Sequence, residues 1–321
     1  MRYLSLSLSS TTMAAALSQV VGYEQPTQPV SWNKRDLLLY AAGIGAKADD
    51  LSLVYELDKS FAAMPTYPVV LPFKGDSQEL NLFSTRMGKT PPGVPKAKVG
   101  VHGSQSIEIL KDLPLASGDG WTWTTKYTGV VENKTGIILT SESLLLDPKK
   151  VPYAKLYSSS FLIGAKTGEN FSKVVAGPPQ GKPIPKDRKA DWTVQDKTTL
   201  EQALIFRLSG DYNPLHIDPE VGQKGGFGGV ILHGLSTFGF GARALIKAVG
   251  GGDPRSLRLF GVRFTAPVKP GDALETEAWE VGPGPNGTVE IAFVTKNLTS
   301  GKVALGGGIA YVKKAGPQAK L

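Results

Sequence analysis

One segment decides the fold, and it reads HGLSTFGFGARALIKAVGGG over residues 233–252. Its apolar side chains recur at the spacing of one helix face, and the glycines at 250–252 end the run. An amphipathic helix needs a surface that covers its apolar face, and an antiparallel sheet curved around the helix provides one. The apolar positions of this face are Leu235, Phe238, Ala242, Leu245, Ile246 and Val249.

Strand-like runs separated by turn residues occupy much of the remaining chain. The alternation of TVEIAFV at 288–294 predicts antiparallel strands with one buried face, and Pro-Asn-Gly at 285–287 marks a turn. Each half of the chain has four such runs. They are Ser104–Leu110, Trp121–Glu132, Gly136–Leu146 and Lys155–Ala165 in the first half, and Ser256–Thr265, Ala273–Val281, Thr288–Thr295 and Val303–Val312 in the second.

A short helix precedes each set of strands, which indicates an internal duplication. The first helix is predicted over Asn33–Ala42, with Asn33 as its N-cap and Gly43 as its end. The second is predicted over Thr198–Leu208 and ends at Gly210. Two copies of about 160 residues, each a helix-decorated antiparallel sheet, predict an α+β fold.

The density of proline and glycine in residues 177–190 predicts a linker between the two copies. We therefore expect a first half at 23–176 and a second half at 191–314. Flexible tails are expected at 1–22 and 315–321. A transit peptide is the alternative for residues 1–22, because they carry Arg2 and no acidic residue.

Composition excludes several classes of protein. The chain has no cysteine, which excludes disulfides, a thiolate nucleophile, a cysteine-ligated zinc site and iron–sulfur clusters. The net charge of +8 suits an anionic ligand, but no dense basic block indicates nucleic-acid binding. Neither a dinucleotide fingerprint nor a Walker loop is present. The uncharged stretches 3–23 and 225–242 are too rich in Ser, Thr or Gly to predict a membrane span.

Residues 209–216, SGDYNPLH, bring an acid, an amide and an imidazole close together in the chain. On a continuous helix Asp211 and His216 would point in different directions. Pro214 prevents that helix, because it disfavours the helical conformation of Asn213. A turn would place the three side chains on one side, where they can act on one substrate. An ordinary turn with an incidental histidine is the alternative, since Gly-Asp and Asn-Pro are common turn dipeptides.

The glycine-rich run 225–234 delivers Gly234 to the first turn of the predicted amphipathic helix. Backbone N–H groups in a first turn lack partners within the helix and lie at the positive end of its dipole. Gly234 is therefore a candidate site for an anion or a carbonyl oxygen. We interpret the other two histidines, His102 and His233, as structural residues.

These motifs together resemble the hydratase 2 (MaoC-like) family of (R)-specific enoyl-CoA hydratases. The likeness rests on GDYNPLH at 210–216 and VILHG at 230–234, and it extends over nearly the whole chain. Further stretches that resemble the two-domain peroxisomal form of the family are Gly22-Tyr23, residues 34–36, residues 40–46, residues 102–105 and residues 263–272.

The resemblance implies a double hot-dog fold and a set of roles. Asp211 and His216 match the pair that activates water, Asn213 matches the residue that positions it, and the Gly234 N–H would meet the thioester oxygen. No metal or cofactor is required. Residues 42–46 of the first half lack the acid and the amide, so one active site per chain is expected. The degenerate first half would then accommodate the acyl chain.

The activity that the resemblance implies is the reversible hydration of trans-2-enoyl-CoA to (3R)-3-hydroxyacyl-CoA in fatty-acid β-oxidation. Alternatives are a hot-dog 3-hydroxyacyl dehydratase, an acyl-CoA thioesterase, and a non-catalytic acyl-CoA-binding protein. A homodimer is also expected. Ala319-Lys320-Leu321 is a conservative variant of the Ser-Lys-Leu address, which predicts binding to the peroxisomal import receptor and a peroxisomal location.

Overall fold

The structure is a computed structural model that describes residues 16–80, 83–86 and 88–316. One helix, α7, is long and the other helices are short. Single 3-10 turns occur at Tyr67–Val70, Pro214–His216, Pro254–Ser256 and Pro285–Gly287. The α-helices are α1 (Lys34–Gly43), α2 (Leu51–Val54), α3 (Leu71–Lys74), α4 (Phe83–Arg86), α5 (Gln202–Arg207), α6 (Pro219–Lys224) and α7 (Gly234–Ala248).

The strands form one antiparallel sheet, and the eight predicted strand runs are all present in it. Its strand order is β1-β3-β4-β5-β2-β8-β11-β10-β9-β7, with β6 paired to β3. The strands are β1 (Gln28–Pro29), β2 (Val99–Ile109), β3 (Thr122–Glu132), β4 (Gly136–Leu146), β5 (Pro152–Ile163), β6 (Ser172–Val174), β7 (Trp192–Lys197), β8 (Leu257–Phe264), β9 (Ala273–Pro283), β10 (Val289–Asn297) and β11 (Lys302–Val312).

The two halves of the chain share this sheet through a single pair of strands. β2 of the first half pairs with β8 of the second, from Ser104 opposite Arg263 to Glu108 opposite Leu259. Gly261 in this seam faces Ser106, and a Cβ on Gly261 would lie 3.1 Å from the Ser106 Cβ. The seam joins the two predicted copies into one continuous antiparallel sheet, and the fold is α+β as predicted.

The long helix α7 is buried on nearly all sides, and twelve of its fifteen residues are inaccessible to solvent. The sequence predicted a single apolar face. The difference arises because the loop at residues 42–46 covers the opposite side of the helix. Gly239 allows this close approach, since a Cβ there would lie 2.2 Å from a side-chain methyl carbon of Ile44.

The described part of the first half contains no equivalent of α7. Residues 61–74 occupy its place against the sheet, with a 3-10 turn that leads into α3. Side chains of this segment join the same core as α7, and they are Ala63, Met64, Tyr67, Val69, Val70 and Leu71.

Two local predictions about the short helices have different outcomes. Asn33 caps α1 as predicted, because its side-chain oxygen accepts a hydrogen bond from the Asp36 N–H. The Asp36 carboxylate in turn accepts from the Asn33 N–H, which completes a capping box. The second helix begins later than predicted, at Gln202. Its expected first residue, Thr198, bonds instead to the backbone oxygens of residues 269 and 272.

The expected flexible tail at 1–22 is wrong for residues 16–22. Leu17 and Val20 are fully buried, and they pack with Val130, Ile137 and other residues on the sheet face that also carries Leu145 of the main core. Apolar side chains on that face need a cover, and this segment supplies it. Residues 1–15 and the terminal tripeptide 319–321 lie outside the described residues. Across the described ranges, no helix combines the length and the apolar character that crossing a bilayer requires.

A buried cation links the two halves beside α7. The Arg243 side chain is 6% exposed and forms ion pairs with Asp50 of the first half, at 3.0 Å, and with Asp196 of β7. Its Nε also donates to the Ile44 carbonyl at 3.3 Å. Removing one partner from such a buried group leaves the opposite charges without compensation.

We expect Arg243→Met to lower the free energy of unfolding by about 3 kcal/mol, because Asp50 and Asp196 would lose their buried partner. The control is Lys247→Met on the same helix, whose ammonium is half exposed and 3.9 Å from Asp49; we expect a change of about 0.5 kcal/mol or less. Urea denaturation measures both values. Equal stability of the two variants would contradict a structural role for the Arg243 pairs.

Candidate active site

The loop after α5 holds the predicted site residues, and its course depends on one glycine. Gly210 has φ +125°, and a Cβ there would lie 2.7–2.9 Å from the backbone N, Cα and Cβ of Lys74. Only glycine fits both conditions. The loop of the second half that carries the candidate site residues therefore starts in direct contact with the backbone of the first half.

The turn predicted from Pro214 is present. Pro214–His216 forms one 3-10 turn, and the Asn213 Oδ1 accepts a hydrogen bond from the Leu215 N–H at 3.1 Å. The Asp211 Oδ1 accepts from the Asn213 N–H at 3.2 Å. The turn brings Asp211 and His216 together. The Asn213 Oδ1 stabilises the turn through its bond to the Leu215 N–H, and the Asn213 Nδ2 takes no part in that bond.

Asp211 and His216 are both buried, at 7% and 8% exposure. Burial raises the pKa of the Asp211 carboxyl from 3.8 to about 6, and the hydrogen bond from the Asn213 N–H opposes part of this rise. Burial lowers the pKa of His216 to about 4. At neutral pH the His216 imidazole is therefore uncharged. The pKa of the Asp211 carboxyl lies close enough to neutral pH for this group to exchange a proton.

The hydrogen bond of His216 determines which of its ring nitrogens can act as a base. Its Nδ1 lies 2.9 Å from the carbonyl oxygen of Ile231. Because a carbonyl oxygen only accepts, Nδ1 carries the proton. The Nε2 lone pair is then available to take a proton from a substrate or a water molecule.

His233, which we interpreted as structural, belongs to the same cluster. Its imidazole stacks on that of His216 with ring centroids 3.8 Å apart, and its Nε2 donates to the Asp211 carbonyl oxygen at 3.1 Å. Its Nδ1 is buried and has no hydrogen-bond partner among the residues that the structure describes. The one signal in the sequence was its position directly before Gly234.

His102 lies elsewhere, on β2. Its side chain is exposed, and its Nε2 is 3.0 Å from the Ser158 hydroxyl on β5. The imidazole is also 4.7 Å from the ring of Phe264. His102 is therefore not a member of the cluster around Asp211.

Gly234 begins α7, as predicted. The preceding residue, His233, occupies the N-cap position but makes no side-chain hydrogen bond to the helix end, so the first-turn N–H groups remain without a side-chain cap. A Cβ on Gly234 would lie 3.3 Å from the Phe264 ring. The Ser236 N–H donates to the His233 carbonyl oxygen at 3.0 Å, whereas the Gly234 N–H has no partner among the described residues, and the cap residue His233 is bonded to Asp211.

The ligand atoms of Asp211, His216 and His233 lie within 4.8 Å of one another, so we tested whether they fit a metal ion. Two nitrogens on a tetrahedral zinc ion are about 3.4 Å apart, and their lone pairs converge on the metal. In this pair the rings are stacked 3.8 Å apart with only 29° between their planes, so the two planes that contain the lone pairs do not meet within bonding distance of both rings. The observed arrangement does not fit a metal ion.

The corresponding loop of the first half, residues 42–46, serves the fold. The Gly43 carbonyl accepts from the Ser236 hydroxyl and from the Gln202 amide, both at 2.8 Å. Gly45 has φ +73° and packs against Phe240. This loop has no acidic residue, and its backbone is bound by side chains of the second half.

Two family models match the chain. One describes the MFE-2 hydratase 2 N-terminal domain and covers residues 30–164. The other describes the MaoC like domain and covers residues 183–303. Their matched ranges correspond to the two halves of the sheet.

Relatives and solved structures agree with these matches. The chain is 37% identical over 271 residues to a probable dehydratase, NIT22, of Ajellomyces capsulatus, covering 81% of this chain and 71% of that one. It is 30% identical over 302 residues to the peroxisomal enoyl-CoA hydratase 2 of Arabidopsis thaliana, covering 90% and 93%.

A crystal structure of a MaoC-like dehydratase from Phytophthora capsici superimposes with a TM-score of 0.82. It is 37% identical, and the match covers 94% of this chain and 99% of that one. The architecture is the double hot-dog fold that the resemblance implied. The chain belongs to the MaoC-like hydratase 2 family.

Proposed function

We propose that this protein is an (R)-specific enoyl-CoA hydratase, which adds water to trans-2-enoyl-CoA to form (3R)-3-hydroxyacyl-CoA. One observation carries the proposal: a buried carboxyl group with a raised pKa lies beside an imidazole with a free Nε2 lone pair. The names of family members, including the enoyl-CoA hydratase 2 of Arabidopsis, support the same activity. The reaction is reversible and runs without a cofactor.

Asp211 and His216 activate the water. The Asp211 carboxylate and the His216 Nε2 each accept a hydrogen bond from one water molecule, whose oxygen then attacks C3 of the substrate. The pair takes up the proton that the water loses and delivers a proton to C2. One water is consumed per turnover, and the pair ends in its starting protonation state. The Asn213 Nδ2 helps to orient the water.

Gly234 stabilises the charge that develops on the substrate. Addition at C3 moves electron density onto the thioester oxygen, which becomes enolate-like. The free N–H of Gly234 at the N-terminus of α7 donates to this oxygen, and the helix dipole adds to the stabilisation. Because His233 is bonded to the Asp211 carbonyl, the donor and the water-activating pair are held close together.

Two other activities deserve comparison. Dehydration is the reverse of the same chemistry, and NIT22 is named a probable dehydratase, so the direction is a matter of substrate supply. Thioester hydrolysis would need water aimed at the thioester carbon, and an acyl-CoA-binding protein would not need a buried, raised-pKa carboxyl group. An assay of crotonyl-CoA hydration beside acyl-CoA hydrolysis separates these activities.

The first half accommodates the acyl chain in this proposal. A cavity of about 160 Å³ in the first half, lined by the small side chains of Ala62 and Ala63 and the apolar Leu113 and Leu115, is our candidate for the far end of a long acyl chain. Ala62→Phe should then reduce turnover of trans-2-decenoyl-CoA and spare crotonyl-CoA. Equal loss on both substrates would count against this path for the acyl chain.

A peroxisomal location and a homodimer remain proposals. The printed name of the Arabidopsis relative supports the location, and the import receptor would read Ala319-Lys320-Leu321. Deleting these three residues should leave an active enzyme outside peroxisomes, as fluorescence microscopy of a tagged protein can show. Light scattering measures the oligomeric state.

We expect Asp211→Asn and His216→Ala each to lower kcat for trans-2-decenoyl-CoA by at least about 10²-fold, the usual size of an acid–base contribution. The control is Asp187→Asn, an exposed acid outside the site, with kcat unchanged. Chiral analysis of the wild-type product should give the (3R)-hydroxyacyl thioester. The (3S) product, or near-normal turnover in either site variant, would contradict the assignment.

The raised pKa of Asp211 predicts an effect of pH on both activity and stability. kcat/KM of the wild type should fall below a pH of about 6 as the carboxylate is protonated. Above pH 6 the cost of ionising the buried Asp211 carboxyl lowers the free energy of unfolding by up to about 3 kcal/mol. Below pH 4 the carboxyl is largely protonated in both the folded and the unfolded state, so this cost disappears. Asp211→Asn should therefore be more stable than wild type at pH 8 and equally stable at pH 4. A variant that is less stable at pH 8 would contradict the raised pKa.

Gly234 permits a matched test of the proposed oxyanion donor. Gly234→Pro removes the N–H at a helix position that tolerates proline, and we expect kcat to fall by 10²-fold or more, the loss usual for one oxyanion donor. Gly234→Ala keeps the N–H and places a Cβ 3.3 Å from the Phe264 ring, so it controls for steric effects. Equal activity of the two variants would exclude the N–H from the mechanism.

A further inference from the structure

We infer that His233 is a positioning residue, which holds the Asp211 backbone and the His216 imidazole in the geometry that water activation requires. This inference rests on the proposed hydration. His233 has no part in the steps above, since its Nε2 is engaged with a carbonyl oxygen and no ring nitrogen of it is assigned to the substrate. Three contacts support the inference.

The first contact is the hydrogen bond to the catalytic loop. The carbonyl oxygen of Asp211 can only accept, so the His233 Nε2 carries the proton of this 3.1 Å bond. His233 is also the N-cap residue of α7. The bond therefore ties the backbone of the acid to the start of the helix that supplies the Gly234 N–H.

The second contact is the stacked pair of imidazoles. His216 is tethered at Nδ1 by the Ile231 carbonyl, but one hydrogen bond leaves the ring free to rotate about it. His233 lies flat against the ring at 3.8 Å and blocks rotation toward that side. The lone pair on the His216 Nε2 is then aimed in one direction.

The third contact supports His233 from behind. The Phe206 ring lies 4.9 Å from the His233 imidazole, and Tyr40 of the first half lies 5.9 Å from Phe206. Phe206 and Tyr40 are fully buried. The ring that restrains His216 is thus part of a buried aromatic cluster that begins in the other half of the chain.

His233 remains neutral in this position. Burial, together with repulsion from His216 and Arg207, holds the pKa of His233 well below its usual range, and the bond to the Asp211 carbonyl opposes this only in part. Within the described part of the chain, its buried Nδ1 has no hydrogen-bond partner. A neutral His233 can hold the pair in place without adding a charge to the site.

Two variants separate the two contacts of His233. His233→Phe keeps a ring against His216 and removes the donor, whereas His233→Gln keeps a donor near the Nε2 position and removes the ring. We expect each to lower kcat for crotonyl-CoA about tenfold or more with KM changed less than about threefold, because small misplacements of catalytic groups reduce turnover. The acid limb of the pH profile should also shift in His233→Phe, since the Asp211 backbone loses its tether.

The control for simple destabilisation is Phe238→Leu, on the same helix and packed against Phe260 at 4.7 Å. It should lower the thermal midpoint while kcat per folded molecule stays at the wild-type value. If either His233 variant keeps the wild-type kcat and pH profile, the contact it removes does not position the pair and the inference is overturned. A wild-type protein that does not hydrate crotonyl-CoA would instead overturn the proposed function.

A measurement on the unmodified protein tests the inference even if the variants do not fold. The chain has only three histidines, so ¹⁵N-histidine NMR spectra can be assigned with few variants. Between pH 6 and 8 we expect His216 to be protonated on Nδ1 and His233 on Nε2. The opposite tautomer of His233, or a doubly protonated ring in this pH range, would remove the proposed bond and overturn the inference.

Discussion

The buried carbonyl of Gly43 is the constraint on which the rest of the structure depends. A carbonyl without water or a partner is costly, so side chains of the second half must reach it. The Ser236 hydroxyl does so at 2.8 Å from the first turn of α7, two residues after Gly234. This bond fixes the rotation of the helix, and with it the direction of the Gly234 N–H and the placement of His233.

The first half therefore packs against, and supports, the candidate site residues of the second half. The backbone of Lys74 limits residue 210 to glycine. Gly43 lies close to Phe206, because a Cβ on Gly43 would be 3.1 Å from the Phe206 Cα. Phe206 in turn supports His233. The loop at residues 42–46 has only small and apolar residues, and it packs closely on α7 through Ile44 and Gly45, so the helix is buried on more than its apolar side.

Local patterns predicted much of this structure. Asn33 predicts the helix cap, Pro214 predicts the turn, and the alternation of apolar and polar residues predicts the main strands to within a few residues. Each of these features is determined by residues that are neighbours in the chain. His233 could not be recognised in this way. Its burial against His216 and its bond to Asp211 depend on residues that lie 17 and 22 positions earlier in the chain. The packing of Leu17 and Val20 against Val130 and Ile137 likewise depends on strands more than 100 residues away.

The seam between β2 and β8 has a consequence for synthesis of the chain. Ser106 pairs with Gly261, so about 155 further residues must be synthesised after β2 before its partner strand β8 is available. At 5–20 residues per second that interval is roughly 10–30 s. During it β2 is an open sheet edge with unpaired N–H and C=O groups, which is a site where strands of other nascent chains can add. Chaperone demand should therefore be highest while the second half is being translated.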